Sequence, residues 1–216
     1  MTATLEQQDE FYLDTPAVRS FISDVRQVLS QHSDVSAGLE ALRPYFAELL
    51  ADQNWLTEDF TAPNPHSGMG GGIGTWLLFR AADHDLSLFS LVVPSGSETP
   101  VHDHLAWGFV GLYRGEQAEK VYQRTDDGNE ADHATLELVQ VNSLKPGDFY
   151  ELLPPDGDIH AVKTTSPEAS ISIHLLANDT GCVVRHAFDP EHSHVRQFRS
   201  GYSNVPCKDE EETKAN

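Results

Sequence analysis

The sequence predicts a mainly β fold, a small barrel or sandwich preceded by α-helices. Two observations carry that expectation. From Trp76 onward, short apolar runs recur between Gly, Pro, Asp and Asn, and none has a helical period. Ahead of them lie two segments whose apolar residues fall at helical spacing. The expected organisation is a helical segment over 1–60 packed on the barrel, a β-barrel over 75–200, and an acidic, disordered tail over 201–216.

The first helix is expected over 15–31, where Val18, Phe21, Ile22, Val25, Val28 and Leu29 share a face. Pro16 sits near its start, where a missing N–H costs nothing. The second is expected over 34–51, with Leu39, Leu42, Phe46, Leu49 and Leu50, and Pro44 is expected to break or kink it. Residues 62–74, APNPHSGMGGGIG, form a Pro- and Gly-rich loop. They lack the Lys-Ser/Thr of a phosphate loop and the spacing of a dinucleotide fingerprint, so they read as a linker. The strands follow as TWLLFR, LSLFSLVV, AWGFVGLYR, EKVYQR, LELVQV, FYELL, HAVKTT, SISIHLL and CVVRHAF. Several alternate apolar with polar residues, the period of a half-buried strand. No internal repeat of fixed period occurs.

Composition bounds the function. The 216 residues carry 34 acidic and 14 basic side chains, a formal net charge of −20. That disfavours nucleic acid and anionic membranes as partners, because both need clustered Lys and Arg. No apolar stretch is long enough to span a bilayer, and the polar, acidic N-terminus does not read as a secretory signal. The 2 cysteines are too few for a disulfide framework, so a reducing cytoplasm is the expected compartment. Cys182 reads as a small buried hydrophobe. A homo-oligomer is compatible with all of this. The 11 histidines invite a search for metal.

That search leads to PVHDHLAWGFVGLYRGE, residues 100–116. Side chains at i and i+2 of a strand share a face, so His102 and His104 can converge on one ion. His192 and His194 have the same spacing in a polar, turn-rich segment and read as a solvated loop. What separates the first pair is its frame: Gly96, Gly108 and Gly115 around it, and Gly147, Pro155, Gly157 and His160 downstream. These residues resemble the two motifs of the cupin superfamily, G-x5-H-x-H-x(3,4)-E-x6-G and G-x5-P-x-G-x2-H-x3-N. The chain departs from them at Gly108, where the glutamate ligand usually sits, and at Thr164, in place of the asparagine. The second motif also has two extra residues before Pro155. The resemblance implies a double-stranded β-helix (jelly-roll) barrel with His102, His104 and His160 as a 3-His facial triad. Three neutral imidazoles leave a divalent ion its full charge and open positions, which favours an anionic substrate.

A narrower resemblance, to the cysteine dioxygenase-like thiol dioxygenases, covers most of the chain. The HDH tripeptide is typical of them. Ser172 and His174 match the first two members of their Ser-x-His-x-Tyr motif, and CVVRHAFDP resembles their segment around Cys182 and His186. Arg80 is placed like the arginine that binds the substrate carboxylate, and Trp107 reads as pocket wall. Leu176 stands where the family has tyrosine, and Tyr113, Tyr122 and Tyr150 are candidates for the missing phenol. The resemblance implies Fe(II), or another divalent transition metal, and O2-dependent oxidation of a small carboxylated thiol to a sulfinate. In that reading His174 and Ser172 support the chemistry, and Arg80 and Leu176 bound the substrate. Two other readings stand beside it. One is a cupin metalloenzyme for a different small anion, acting as dioxygenase, lyase or isomerase. The other is a non-catalytic, ligand-binding cupin.

Overall fold

The computed structural model describes residues 8–155 and 157–207. They form two α-helices, a one-turn 3-10 helix (Glu58–Phe60) and twelve strands. A short strand β1 (Glu10–Phe11) precedes helices α1 (Pro16–Gln31) and α2 (Val35–Ala51). Then come β2 (Gly74–Arg80), β3 (Ser87–Val93), β4 (Val101–His102), β5 (Gly108–Arg114) and β6 (Gln117–Arg124). The chain continues through β7 (Leu136–Leu144), β8 (Phe149–Leu152), β9 (Ile159–Thr164), β10 (Ser170–Leu176), β11 (Arg185–Asp189) and β12 (His194–Phe198). Two antiparallel six-stranded sheets result, ordered β1-β2-β3-β10-β5-β8 and β12-β11-β4-β9-β6-β7. This is the expected mainly β, double-stranded β-helix architecture.

The helix starts follow local chemistry. Thr15 Oγ1 accepts from Val18 N at 3.3 Å, and Asp34 Oδ1 accepts from Ala37 N at 2.9 Å. Both satisfy N–H groups that a first turn leaves without partners. Pro44 does not break α2, which runs through it. An interior proline costs a helix ~3 kcal/mol, and here burial of Leu39, Leu42, Phe46, Leu49 and Leu50 offsets it.

Both helices lie on the outer face of the first sheet. Phe46 stacks on Phe109 with centroids 5.1 Å apart, and Phe149 meets Phe46 edge-on at 5.4 Å. The approach is close: a Cβ on Gly111 would stand 2.4 Å from Leu50. With helices outside and barrel inside, β3 and β10 are buried along their whole length. Alternation then sorts β10. Ile171, Ile173 and Leu175 join the helix-side core, while Leu176 joins an interior cluster with Phe89, Val110 and Leu152. Ser172 and His174 share the face of Leu176 and so turn into the barrel.

Two strands were not expected, β1 and β12, whose HVRQF lay in the segment read as a solvated loop, and the strand expected to carry both His102 and His104 is shorter than that, β4 ending at His102. The Gly-rich loop is packed rather than a linker, with Met69 and Ile73 buried against Leu91, Val93 and Val162. Of the expected tail, 208–216 lie outside the described residues, while 201–207 pack on the barrel. Cys182 is not a buried free thiol: it is half-buried and disulfide-bonded to Cys207, across 25 residues of sequence. The expectation of a reducing compartment rested on unpaired cysteines and loses that support. No helix among the described residues is long and apolar enough to cross a membrane.

Phe46→Ala should lower stability by about 3–5 kcal/mol, since the ring is fully buried among aromatic partners. Urea unfolding should show a lower midpoint with an unchanged slope.

Candidate metal centre

His102, His104 and His160 come together. Their three ring centroids are each 4.9 Å from the other two. One potential ligand atom from each lies within 4.8 Å of the others, a spacing one ion can bridge, and all three residues are buried.

The backbone brings them there in two ways. His102 ends β4 directly opposite His160 on β9. His104 lies beyond the end of β4, so strand alternation does not orient it. The Asp158 carboxylate does: Oδ1 accepts from His104 N at 2.9 Å and from its Nδ1 at 3.1 Å, and Oδ2 accepts from Leu105 N at 3.0 Å. Leu105 carries φ +54°, so the turn is a strained one that needs such support.

Each imidazole is held from behind at Nδ1. His102 Nδ1 donates to Pro100 O at 2.9 Å, and His160 Nδ1 donates to Glu119 Oε1 at 2.9 Å. The Tyr150 hydroxyl lies 3.0 Å from the same His160 nitrogen, and Asn142 Nδ2 donates to Glu119 Oε2 at 2.8 Å. Acceptors at all three Nδ1 atoms fix the tautomer that leaves Nε2 bare, as a metal ligand requires. The residues present therefore fit a divalent transition ion.

Gly108 explains why no carboxylate joins this set. A Cβ there would stand 1.9 Å from Leu175 O and 2.9 Å from Leu176 Cδ2. No side chain fits between these strands. The acidic groups stand one layer back instead, as Asp158 and Glu119 behind the imidazoles and as Asp103, which accepts from His186 N and Nδ1 at 2.8 and 2.7 Å.

Burial governs the electrostatics. It pushes His102, His104 and His174 well below the usual imidazole range, with neighbouring imidazoles adding to it. Burial raises Asp158 and Asp103 above the usual carboxylate range. At Glu119 burial acts upward too, but the hydrogen bond and charge of His160 outweigh it, and the net shift is downward.

A narrow cavity opens beside the imidazoles. Its walls include His102, His104, His174, Phe89, Leu91, Thr75 and Arg185. Three of these carry a buried polar atom with no hydrogen-bond partner among the described residues: His174 Nδ1, Arg185 Nε and Thr75 Oγ1. Buried polar atoms are normally paired, so three unpaired ones around one cavity call for a polar partner there, an ordered water or a ligand. The Arg185 guanidinium is otherwise fixed, with Nη1 donating to Asp103 O at 2.5 Å and Nη2 to Ser200 Oγ at 2.9 Å. Burial pulls its pKa down to about 10, still cationic at neutral pH. His174 stacks on Phe89 with centroids 4.6 Å apart, and its Nε2 pairs with Ser172 Oγ at 3.0 Å.

The other expected site residues lie elsewhere. Arg80 does not line this cavity. Its Nε donates to Glu10 at 2.6 Å, Nη1 to Asp179 at 3.2 Å and Nη2 to the Tyr12 hydroxyl at 3.1 Å, which ties β1 to the barrel. Trp107 packs at the edge of the helix-side core. Leu176 is buried in the interior apolar cluster. Among the tyrosines, Tyr150 reaches the back of His160, while Tyr113 packs against Trp55 on the helix side and Tyr122 beside Ile159. His192 and His194 are exposed, as expected, although His194 opens β12. Sequence reasoning missed Arg185, Thr75, Glu119 and Asp158. Arg185 stood in view, next to His186 in a segment already singled out. A cavity-facing threonine and carboxylates supplied by strand pairing leave no local signal.

No family model matches the sequence. Among solved structures, the chain is similar to oxalate oxidase in complex with the substrate analogue glycolate, with TM-score 0.42 and 15% identity over 59% of this chain and 61% of that one. It is also similar to a Cupin_2 domain of an XRE family transcriptional regulator from Enterobacter cloacae, with TM-score 0.33 and 20% identity over 48% of this chain and 94% of that one. A double-stranded β-helix protein from Klebsiella pneumoniae gives TM-score 0.38 and 17% identity over 56% and 81%.

Asp158→Asn should weaken divalent-metal affinity by roughly 10- to 100-fold, the usual effect of disturbing a group behind a ligand, as titration calorimetry would show. The metal-free protein should also lose stability in mild acid. Unfolded, His102, His104 and His174 take up protons near pH 6.5, whereas folded they resist to lower pH. Their contribution is therefore fully present above that value and is lost as pH falls below it. The slope should approach roughly 4 kcal/mol per pH unit below pH 6, read from urea midpoints across a pH series.

Proposed function

We propose that this chain is a metal-dependent enzyme of thiol-dioxygenase type, using Fe(II) and O2 to convert a small carboxylated thiol to a sulfinate. The observation that carries the reading is the pairing of an all-imidazole ligand set with a buried arginine on the same cavity. His102, His104 and His160 would hold the ion. When bound, it supplies Lewis acidity that stabilises a thiolate and, as iron, reactivity toward dioxygen.

The protein's own residues do the rest. Arg185 binds the substrate carboxylate, replacing the role that the sequence resemblance implied for Arg80. Its Nε is unpaired and its other nitrogens are held by Asp103 and Ser200, so the group is oriented before the ligand arrives. With the Ser172 hydroxyl donating to His174 Nε2, the Nδ1–H of His174 is free to donate to an anion in the cavity. Phe89 fixes that ring by stacking and, with Leu91, excludes water from it. Glu119 and Asp158 place negative charge behind the ligands and partly offset a dication.

One observation favours a second reading, a cupin metalloenzyme acting on a different small anion. Leu176 makes apolar the position that the thiol dioxygenases fill with a phenol, and no tyrosine among the described residues lines the cavity in its place.

His102→Ala, His104→Ala and His160→Ala should each lose stoichiometric metal by elemental analysis, and full iron content in any of them would refute the ligand assignment. Fe(II)-loaded protein should consume O2 with 3-mercaptopropionate, cysteine or mercaptosuccinate and not with an uncharged thiol. Metal-replete protein with no uptake on this panel would leave the second reading. Arg185→Gln should raise KM by roughly 10- to 100-fold, the worth of a hydrogen bond to a charged group. Arg80→Gln should lower thermal stability and leave KM unchanged.

A further inference from the structure

The chain beyond β12 does not turn away from the barrel. Residues 199–207 run back over the barrel beside the cavity, outside either sheet. Ser200 lines the cavity and accepts from Arg185 Nη2 at 2.9 Å. Gly201 N donates to Gly181 O at 2.9 Å, and Gly181 N donates to the Tyr202 hydroxyl at 3.0 Å. Ser203 is bonded twice to Thr75: its N donates to Thr75 O at 2.6 Å, and its Oγ accepts from Thr75 N at 3.0 Å. Two glycines are required beneath it. A Cβ on Gly68 would stand 2.6 Å from Ser200 O, and a Cβ on Gly181 would stand 2.6 Å from the Tyr202 ring.

Most of these contacts are hydrogen bonds or surface approaches, and Tyr202 alone adds apolar packing, edge-on to Phe89 at 6.1 Å. The Arg199–Cys207 segment contributes buried residues only at Ser200 and Cys207, and its intervening residues are half-buried or exposed. Such a segment belongs to the low-stability end of a fold and opens locally unless something pins it. The pin is the disulfide, which ties Cys207 to Cys182 in the loop that carries Thr180 and Gly181 at the cavity rim. Cys182 is half-buried, so a reductant can reach it, while Cys207 is 2% exposed.

We propose that the Arg199–Cys207 segment is a roof over the metal-side cavity and that the Cys182–Cys207 disulfide is its redox latch. In the oxidised protein the roof holds Arg185 and Thr75 and restricts entry. A dithiol opens it. One thiolate of the reductant attacks a sulfur of the pair, and the other cysteine leaves as a thiolate. The reductant's second thiol then displaces the mixed disulfide. The protein pair gains two electrons and two protons, and the reductant becomes a disulfide. Released, the roof keeps its hydrogen bonds and the packing of Tyr202 against Phe89 but loses its covalent tie, and it opens more often, while the sheets and the imidazole cluster stay in place.

Hydrogen exchange tests this without assuming any activity. Full-length protein is compared oxidised, after dithiol reduction, and as Cys207→Ser and Cys182→Ser. Amides of Gly181, Gly201 and Ser203 should exchange at least ~10-fold faster in the three unlatched forms, while those of β9 and β10 keep their protection. In Co(II)-loaded protein, extraction by a chelator should accelerate in parallel. Equal protection of the roof amides in latched and unlatched forms would overturn the proposal. So would loss of protection throughout the barrel, which would make the disulfide a global staple. Two free thiols in protein purified without reductant would also sink it. Failure to take up Co(II) would count against the metal site, and exchange alone would then decide the roof.

Discussion

The Asp158 carboxylate accepts three hydrogen bonds from one turn, two of them backbone N–H groups, and the geometry of the whole centre follows from it. β4 is too short to carry both ligands. Without Asp158, His102 would still face His160 through strand pairing, but His104 would sit at the end of an unsupported turn. The same carboxylate fixes the tautomer of the ring it positions. A single acidic residue, two places before the third ligand, thus links the two halves of the site.

This arrangement separates two tasks that one carboxylate performs when it is itself a ligand. Negative charge is supplied from behind, by Glu119 and Asp158, and the inner positions are left to neutral nitrogen. An ion held this way keeps a strong pull on anions while its surroundings stay near neutrality. The cavity carries a cation in Arg185 and no carboxylate among the residues that line it. On the proposed function, selectivity for an anion would be a property of the walls as much as of the ion.

Much of the fold was legible in sequence because its signals are local. Helical spacing marked α1 and α2 nearly to the residue, and all nine apolar runs became strands. The misses share one cause. β1, β12 and the early end of β4 are defined by partners far along the chain, and two or five residues carry too little period to announce themselves. The imidazole cluster was legible because a motif framed it. Arg80 and Arg185 show the limit: both are buried arginines on strands, and only the fold decides that one meets Glu10 and Asp179 while the other meets the cavity. The cysteine pair was misread because a count of two says nothing about proximity.

The close approach of Gly108 to Leu175 bears on how such a site can change over time. Adding a carboxylate ligand at this position is a plausible single-codon event on paper, since glycine and glutamate codons are neighbours. In this barrel it is not a single event. The backbone of β10 would have to withdraw first, and β10 also carries Ser172 and His174 and supports α2 from below. The ligand set is thus held in place by the spacing of two strands, and a lineage leaving it would have to rebuild the interior before it gained the new ligand.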